Sequence, residues 1–322
     1  MNGIRLTTAR SGVARYIENV LRQWSAMEHP FEEVRVYTPK PVELNLPRTR
    51  NVVVQGHKPL WMWEQFALPK AHGRVELLVC PSYVAPLRAN CPLLLIHHGS
   101  YEGYPQAFGR WATKKALWAY KLSARRADRI ITVSQHSQRD IVKFYGVGAD
   151  KIDVIPEGVD TSLFRPIRDA SALSAFRTQA FGADEPFILF VGKPARRRNI
   201  PQLFEAYKRL LRDGKIKHRF LFIGSDLPGS PVGKLVRDLG LEKHVTLVGH
   251  AGHEQIVLAY NAADVLIYPS SYEGFGMPVL EAMACGTPAI ALRNTAFLEF
   301  AAGIAYLAED GSVDELYKAL DT

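Results

Sequence analysis

The sequence predicts an α/β protein with doubly wound parallel sheets, and three features of the chain support this fold class. Short apolar runs rich in β-branched residues recur along the 322 residues, and each is followed by a segment with helical periodicity. The runs do not alternate between apolar and polar residues, which is typical of strands covered on both faces. The length suits two domains of about 150 residues each. Strand–helix alternation of this kind indicates parallel sheets with helices on both sides.

Eleven segments have the composition of buried strands. In the first half of the chain they are 33–37, 51–55, 76–80, 92–97, 129–133 and 151–155. In the second half they are 187–192, 219–224, 245–249, 264–269 and 288–292. Helical patterns lie between them, most clearly over 200–212, 231–239, 253–262 and 277–285. This order places each functional motif on a strand end, a loop or a helix.

The alternation breaks once, over residues 163–186, where no strand pattern is present and two prolines occur. We therefore predict a first domain over 1–165, a linker over 166–186 and a second domain over 187–322. Two Rossmann-like domains of this kind are expected to face each other across a cleft. Ligands bind beyond the carboxyl ends of the strands in such domains.

Composition and charge exclude several classes of protein. Hydrophobic residues make up 47% of the chain and charged residues 22%, which is ordinary for a globular protein. No apolar run approaches the ~18 to 20 residues that a membrane span needs. The first residues lack the apolar core of a secretory signal. The three cysteines are far apart and form no paired motif, which predicts reduced thiols and a cytoplasmic location.

The formal charge of +8 is carried by the first half of the chain, where residues 1–165 hold 23 Lys and Arg against 14 Asp and Glu. A basic excess of this kind attracts nucleic acid, anionic lipid or phosphorylated substrates. No nucleic-acid-binding module is recognisable, so we expect no nucleic-acid partner.

The segment 268–292, YPSSYEGFGMPVLEAMACGTPAIAL, has the most specific pattern. The loop after its predicted strand contains Glu273, Gly274, Phe275 and Gly276. Glycines allow backbone N–H groups to approach a ligand closely, and the following helix N-terminus favours an anion. Glu281 lies eight residues after Glu273, on the predicted helix. Both carboxylates could accept hydrogen bonds from sugar hydroxyls, although acidic residues near a helix N-terminus also complement the helix dipole.

This segment resembles the E-x7-E signature of the family 4 glycosyltransferases, which have the GT-B fold. Further resemblances follow in the expected order along nearly the whole chain. They are RSGVARYIENVL, ADRIITVSQHSQRDI, KIDVIPEGVDTSLFRP, FILFVGKPARRRNIPQLFEAY and VTLVGHAGHEQIVLAYNAADVLIYPS. The resemblance implies transfer of a sugar from a nucleotide diphosphate donor to an acceptor hydroxyl, with retention of anomeric configuration.

The resemblance also implies roles for individual residues. Glu273 and the backbone amides of Gly274, Phe275 and Gly276 would hold the donor sugar. Glu281 would accept hydrogen bonds from the ribose hydroxyls. Gly12, in the glycine loop of the first domain, would bring a backbone N–H near the diphosphate, the alternative being a plain turn glycine.

The stretch GKPARRRN supplies positive charge for a departing diphosphate, which a cation stabilises in the transition state. Family members commonly have an arginine soon after the glycine and a lysine about five residues further on. Here Lys193 and Arg198 stand nearest to those places, so the two residue types are exchanged. We predict both as phosphate-binding catalytic residues, with Arg197 as a rival for the second place.

The predicted strand 92–97 ends in two histidines. The family has a histidine at this strand end, which would contact the transferred sugar near the reaction centre. His97 fits a His-Asp spacing and His98 fits a His-Gly spacing, and we favour His97 as the catalytic residue.

The sequence has no Asp-x-Asp motif and no cluster with the spacing of metal ligands. We therefore expect a metal-independent reaction, with no cofactor besides the nucleotide-sugar donor.

A basic helix at 111–126 mixes tryptophans with lysines and arginines, which is typical of an interfacial helix. A packed helix with one basic, solvent-exposed face is the simpler interpretation, and peripheral contact with an anionic membrane is the hypothesis to test.

Both ends are short against the family pattern. Only Ile4–Thr7 precede the glycine loop, and the chain stops at Thr322 where family members continue with further helices. We expect the first strand to be short or missing and the C-terminal helices to be missing.

The leading hypothesis is a retaining transferase acting on a saccharide or lipid-linked acceptor in polysaccharide or glycolipid biosynthesis, with GDP-mannose as a possible donor. The alternatives are a non-catalytic or truncated nucleotide-binding partner subunit and a nucleotide-sugar epimerase.

Overall fold

The computed structural model describes residues 1–8, 12–28, 31–56, 59–100, 104, 110–224 and 229–322, with the backbone alone at 110–113. The chain divides into two compact units, with the boundary between Pro156 and Glu157. Each unit contains parallel strands covered by helices. This arrangement confirms the predicted α/β fold class with two Rossmann-like domains.

The strands of the first unit are β1 (Val34–Thr38), β2 (Thr49–Val53), β3 (Leu78–Cys80), β4 (Leu93–His97), β5 (Arg129–Thr132) and β6 (Ile152–Val154). Those of the second unit are β7 (Phe187–Val191), β8 (Arg219–Ile223), β9 (Val245–Val248), β10 (Val265–Tyr268), β11 (Ala289–Leu292) and β12 (Tyr306–Ala308). Every strand pair in the described residues is parallel.

The helices of the first unit are α1 (Gly12–Ala26), α2 (60–71), α3 (Arg110–Arg126) and α4 (Gln135–Tyr145). Helix α2 is continuous, and its middle turn, Trp63–Ala67, is a π-helix. The helices of the second unit are α5 (Ala170–Phe181), α6 (Ile200–Arg212), α7 (Pro231–Asp238), α8 (His253–Ala262), α9 (Met277–Ala284), α10 (Phe297–Phe300) and α11 (Val313–Asp321).

The second unit is built on a six-stranded sheet with the order β12-β11-β10-β7-β8-β9. All five residues of the central strand β7 are buried, which is why this segment reads as a continuous apolar run. Helix α6 covers one face with Leu203, Phe204, Tyr207 and Leu210, whose spacing is the apolar stripe of an amphipathic helix. The unit therefore has one continuous core.

The first unit contains a four-stranded sheet, β3-β4-β5-β6, and a two-stranded sheet, β1-β2. Residues Met1–Gly3 lie between them. The N–H of Asn2 donates to the carbonyl of Val79 in β3 at 2.8 Å, and the N–H of Gly3 donates to the carbonyl of Tyr37 in β1 at 2.8 Å. The backbone of this short segment thus joins the two sheets at the place where the sequence analysis expects a short first strand.

All eleven predicted strands are present, with ends that differ by a few residues. One further strand, β12, was not predicted. The predicted linker over 166–186 differs from the structure, because this segment lies in the second unit and forms helix α5. Asp169 caps its N-terminus, Gly182 ends it with φ 82°, and Phe176 and Phe181 pack on Phe187 at 6.3 and 5.2 Å between ring centroids.

Candidate active site

The order of the second sheet reverses beside its central strand. From β7 the chain moves outward through β8 and β9, and it then returns to the other side of β7 with β10. In open parallel sheets such a reversal leaves a crevice at the carboxyl edge, where ligands bind. The loops that follow β7 and β10 meet at this point, and they contain most of the site residues predicted from the sequence.

These two loops are held together by the residue that starts α6. Asn199 has a left-handed backbone with φ 48°, and its Nδ2 donates to the carbonyl of Pro269 at 2.9 Å and to Ser271 Oγ at 2.8 Å. The N–H of Ser271 donates to the carbonyl of Arg197 at 2.7 Å. These hydrogen bonds fix the basic loop over 192–198 against the loop that contains Glu273.

Glu273 lies at the centre of the cluster, with its side chain 13% exposed. Its Oε1 accepts from Tyr268 Oη at 3.0 Å and Ser270 Oγ at 2.9 Å, and it lies 3.3 Å from both Arg197 Nη2 and Arg198 Nε. Oε2 has only a 3.4 Å contact with Arg197 within the described part of the chain. Burial raises the pKa of Glu273, but the two guanidiniums and the two hydroxyls hold it below its ordinary value. The carboxylate is therefore charged, with one oxygen available to a ligand.

An aromatic stack supports this cluster from beneath. Tyr268 ends β10 and is buried, and its ring stacks on Phe190 of β7 at 5.5 Å, which in turn stacks on Phe222 of β8 at 4.5 Å. The Arg198 guanidinium lies over the Tyr268 ring at 5.1 Å, within the range of a cation–π interaction. Burial, with the charge of Glu273, raises the pKa of Tyr268, so its hydroxyl remains a donor. Tyr268 was not predicted as a site residue, because it belongs to an apolar run that indicates only a buried strand.

The loop after Glu273 leads into α9 through a glycine that the backbone requires. Gly276 has φ 107°, and a Cβ at this position would lie 2.3 Å from the ring of Phe297. The side chain of Phe275 faces inward and stacks on Phe300 at 4.8 Å, so only its backbone could contact a ligand. Within the described residues, the N–H groups of Phe275 and Gly276 have no acceptor. The preceding Gly274 is buried in the same loop.

Glu281 is buried in the second turn of α9 and accepts a hydrogen bond from Tyr260 Oη of α8 at 2.8 Å. An acidic residue that complements the helix dipole would lie in the first turn, and Glu281 lies beyond it. This position does not support the dipole explanation, and the ribose role stays a prediction.

Lys193 is the second residue after β7 and is exposed. Its carbonyl accepts from Arg198, whereas its ammonium has no ion pair in the part of the chain that the structure describes. The structure therefore gathers Lys193, Arg197, Arg198 and Glu273 at one place, and Lys193 is the exposed cation of the set. Within the same described residues, no three His, Cys, Asp or Glu side chains come together as metal ligands. Metal independence stays a prediction.

The other two predicted residues lie in the first unit. Gly12 is the first residue of α1 and is exposed, and a Cβ there would meet no atom of the described residues within 4 Å. Packing against the described part of the chain thus does not account for glycine at this position.

His97 is completely buried at the end of β4. Its Nε2 lies 3.0 Å from Tyr145 Oη, and the ring of Tyr83 packs edge-on at 4.8 Å. Burial, with a smaller effect from His98, lowers the pKa of His97 to about 3, so the imidazole is neutral. His98 is half-buried, with Nε2 3.1 Å from the carbonyl of Pro81. Accessibility therefore favours His98, the alternative, as the histidine that could meet a substrate.

Comparison with known proteins agrees with this architecture. The family model for "Glycosyl transferases group 1" matches residues 174–322, and the model for "Glycosyltransferase Family 4" matches residues 10–163. Two Rossmann-like units matched in this way define a glycosyltransferase of the GT-B class. The chain belongs to glycosyltransferase family 4, as the sequence motifs indicated.

Several curated relatives are mannosyl- or glycosyltransferases. O-antigen chain mannosyltransferase B of Escherichia coli is 26% identical over 237 residues, which cover 73% of this chain and 62% of that protein. The MMP alpha-(1->4)-mannosyltransferase of Mycolicibacterium hassiacum is 31% identical over 62% of this chain and 46% of its own length. The D-inositol 3-phosphate glycosyltransferase of Nocardia farcinica is 33% identical over 51% of this chain and 37% of its own. The chain spans less than two thirds of each of these relatives.

Solved structures share the fold at low sequence identity. Sucrose-phosphate synthase from Thermosynechococcus elongatus has a TM-score of 0.78 and 22% identity, covering 99% of this chain and 87% of that one. HepE of Anabaena in complex with UDP-glucose has a TM-score of 0.78 and 20% identity, covering 97% and 86%. At this identity the likeness establishes the fold.

Proposed function

We propose that this protein transfers a mannosyl group from GDP-mannose to an acceptor hydroxyl, with retention of configuration and without a metal ion. The observation that carries the proposal is the Glu273 carboxylate, which pairs with Arg197 and Arg198 at the switch point and whose Oε2 has only a 3.4 Å contact with Arg197 in the described part of the chain. Such an arrangement binds sugar hydroxyls beside a phosphate site. The names of the Escherichia coli and Mycolicibacterium relatives support the choice of mannose.

In the proposed reaction, the bond between the sugar C1 and the diphosphate oxygen breaks and a bond from C1 to the acceptor oxygen forms. The acceptor proton passes to the leaving diphosphate. Lys193, Arg197 and Arg198 stabilise the charge that develops on this group. The N–H groups of Phe275 and Gly276 contact the donor, and the role of Gly12 stays the one that the resemblance implies.

A binding panel tests the proposal. GDP, UDP, ADP and their common sugar conjugates would be titrated into the protein by calorimetry, followed by product analysis with and without acceptor sugars. We expect selective binding of the GDP compounds with a Kd of about 1–100 μM. Selective binding of UDP compounds would contradict the donor. Binding without turnover of any donor would favour the non-catalytic subunit, and an altered donor sugar without acceptor would favour the epimerase.

Glu281→Ala is expected to weaken nucleotide binding by about 1–3 kcal/mol, because the ribose loses a hydrogen bond to a charged group. The same calorimetric titration measures the loss. Glu281→Gln is the matched variant, since it keeps an acceptor for Tyr260 and removes only the charge. Unchanged affinity in a folded Glu281→Ala protein would assign this residue a purely structural role.

Tyr268→Phe is expected to lower the donor kcat/KM by about 5- to 30-fold. This corresponds to about 1–2 kcal/mol, because Glu273 loses the hydrogen bond from the Tyr268 hydroxyl. The ring under Arg198 remains, so only the hydroxyl on Oε1 is tested. Tyr207→Phe is the control, because it removes a buried hydroxyl that donates to the carbonyl of His218 in the same unit. Equal kinetics for the two variants would mean that Tyr268 does not position the carboxylate.

We also propose that α3 contacts an anionic membrane surface. Lys114, Trp118, Lys121 and Arg125 follow the spacing of one helix face, and Trp118 is 68% exposed. The side chain of Trp111, part of the same predicted helix, lies outside the described residues. Among those residues, no helix has both the length and the apolar composition to cross a membrane.

Trp118→Ala is expected to weaken binding to anionic vesicles about tenfold. This corresponds to roughly 1.5 kcal/mol of binding free energy, because the tryptophan no longer buries apolar surface in the membrane. Co-sedimentation with phosphatidylglycerol and phosphatidylcholine vesicles measures this. Trp61→Ala removes another exposed tryptophan of the first unit and is the matched control. Equal, negligible sedimentation of the unmodified protein with both lipids would remove the membrane proposal.

A further inference from the structure

The segment between β11 and α10 lies against the loop that contains Glu273. Asn294 Nδ2 donates to the carbonyl of Ser270, near the start of that loop, at 3.3 Å. Thr295 Oγ1 accepts from the N–H of Glu273 at 3.4 Å. Two hydrogen bonds from consecutive residues therefore hold the loop from the β11 side.

Thr295 has an uncommon backbone conformation. Its φ is 46°, in the left-handed region, where a β-branched side chain is crowded against the backbone. This conformation raises the free energy of the folded state. Within the described part of the chain, three other non-glycine residues are left-handed, and none of them is β-branched: Arg48, Tyr83 and Asn199. Such residues persist only where surrounding contacts impose them, and they recur at active sites.

The Glu273 loop is also held by a left-handed residue on its other side. In the sheet, β10 lies between β7 and β11, so the loop after β10 has the loops after β7 and β11 as neighbours. Asn199, which follows β7, donates to the carbonyl of Pro269 and to Ser271 Oγ. Asparagine tolerates a left-handed backbone far better than threonine does. The strain in this arrangement is therefore concentrated at Thr295.

The Thr295 hydroxyl has one defined orientation. It donates its proton to Asn294 Oδ1 at 2.9 Å, so a lone pair is left to accept from the N–H of Glu273. This bond acts on the backbone from which the Glu273 carboxylate extends toward the two guanidiniums. If Thr295 served the fold alone, glycine would be the more stable residue, because glycine adopts φ 46° without strain.

We propose that Thr295 is a positioning residue of the donor site, which sets the Glu273 carboxylate through the loop backbone and lowers the stability of the second unit. Its hydroxyl does the positioning, and its left-handed backbone places the hydroxyl under the Glu273 N–H. The effect on catalysis rests on the proposed function, whereas the control of the loop by Thr295 does not.

Three variants separate the hydroxyl from the backbone strain. Thr295→Gly removes both, Thr295→Ala removes the hydroxyl, and Thr295→Ser keeps the hydroxyl. We expect the kcat/KM for GDP-mannose to fall about 5- to 10-fold in Thr295→Gly and Thr295→Ala, and to stay within about twofold in Thr295→Ser. GDP affinity is expected to be equal in all of these proteins, because GDP lacks the sugar that Glu273 contacts. The melting temperature of Thr295→Gly is expected to rise by about 2–4 °C, so this variant is more stable and less active.

Hydrogen exchange followed by mass spectrometry reads the loop without catalysis. Exchange over residues 270–276 is expected to be about fivefold faster in Thr295→Gly and Thr295→Ala, and unchanged in Thr295→Ser. Arg48→Gly is the matched control for release of strain, because Arg48 has φ 53° in the turn before β2 of the first unit. We expect Arg48→Gly to be more stable than the unmodified protein, with the same kinetics and the same exchange over residues 270–276.

Unchanged exchange over residues 270–276 in Thr295→Ala would overturn the positioning role, and so would equal losses of kcat/KM in Thr295→Ser and Thr295→Ala. Faster exchange with unchanged kcat/KM in an active enzyme would overturn it as well. A lower melting temperature of Thr295→Gly would contradict the strain. If exchange changes as expected but the unmodified protein turns over no donor, the control of the loop stands and the proposed function fails. If the unmodified protein transfers mannose while Thr295→Ala changes neither kinetics nor exchange, the proposed function stands and the positioning role fails.

Discussion

Glu273→Gln is expected to lower the donor kcat/KM by at least about 100-fold, the largest functional effect that the site predicts. The carboxylate is the shared partner of two guanidiniums and two hydroxyls. An amide removes the charge that Arg197 and Arg198 face, and its NH2 group cannot accept from either arginine. Steady-state kinetics with the nucleotide sugar selected by the binding panel measures the loss.

Glu185→Gln is the matched control for this variant. Glu185 pairs with Arg219 at 2.9 Å and precedes β7, so it lies at the opposite edge of the same sheet. We expect Glu185→Gln to keep its kinetic constants, since a partly exposed ion pair contributes little to the fold. Glu273→Gln is also expected to lower the free energy of unfolding by about 1–3 kcal/mol, because two half-buried guanidiniums lose their counter-charge. A folded Glu273→Gln protein with unchanged kcat/KM would remove Glu273 from the donor site.

The stability of the first unit is expected to depend on pH through Glu64. Burial raises its pKa from 4.5 to about 7 in the folded chain, so the folded state binds the proton more tightly than the unfolded state does. This stabilisation is complete below about pH 4.5 and is lost as the pH rises through about 7. Besides burial, the groups that act on Glu64 are Asn2 and Arg5.

Comparison with Glu64→Gln isolates this contribution. Between about pH 5 and pH 8, the free energy of unfolding of the unmodified protein is expected to fall by roughly 2–3 kcal/mol relative to that of the variant. The comparison is needed because His97, whose pKa is lowered to about 3, has the opposite effect: its contribution is lost as the pH falls from about 6.5 toward 3. Urea unfolding at several pH values measures the difference. A difference that stays constant with pH would show that Glu64 is ionised in the folded protein.

The strands of this fold are readable from the sequence because parallel sheets bury both faces. In β7, five consecutive buried residues are also five consecutive apolar letters. Strand β12 was missed because it has three residues, two of them only partly buried, at the outer position of the sheet. The prolines around α5 suggested a linker, although Asp169 and Gly182 already carried the capping signals of a helix.

Site residues that belong to one contiguous motif could be predicted from the sequence. Those that are defined by tertiary packing could not. The loop with Glu273 and the basic loop each stand out in the sequence, and the structure brings them together. The choice between His97 and His98 depends on which ring the tyrosines enclose, and this is set by residues distant in sequence. Tyr268 was missed for the same reason, because only tertiary contacts distinguish it from an ordinary strand tyrosine.

The π-helical turn in α2 has a consequence for how this chain is compared with its relatives. A π turn holds one more residue than an α-helical turn over the same length, so it corresponds to a single-residue insertion within a helix. A homologue without that insertion would rotate the side chains after the turn by about 100°. An alignment that places no gap within Trp63–Ala67 would then pair each residue after the turn with the wrong position.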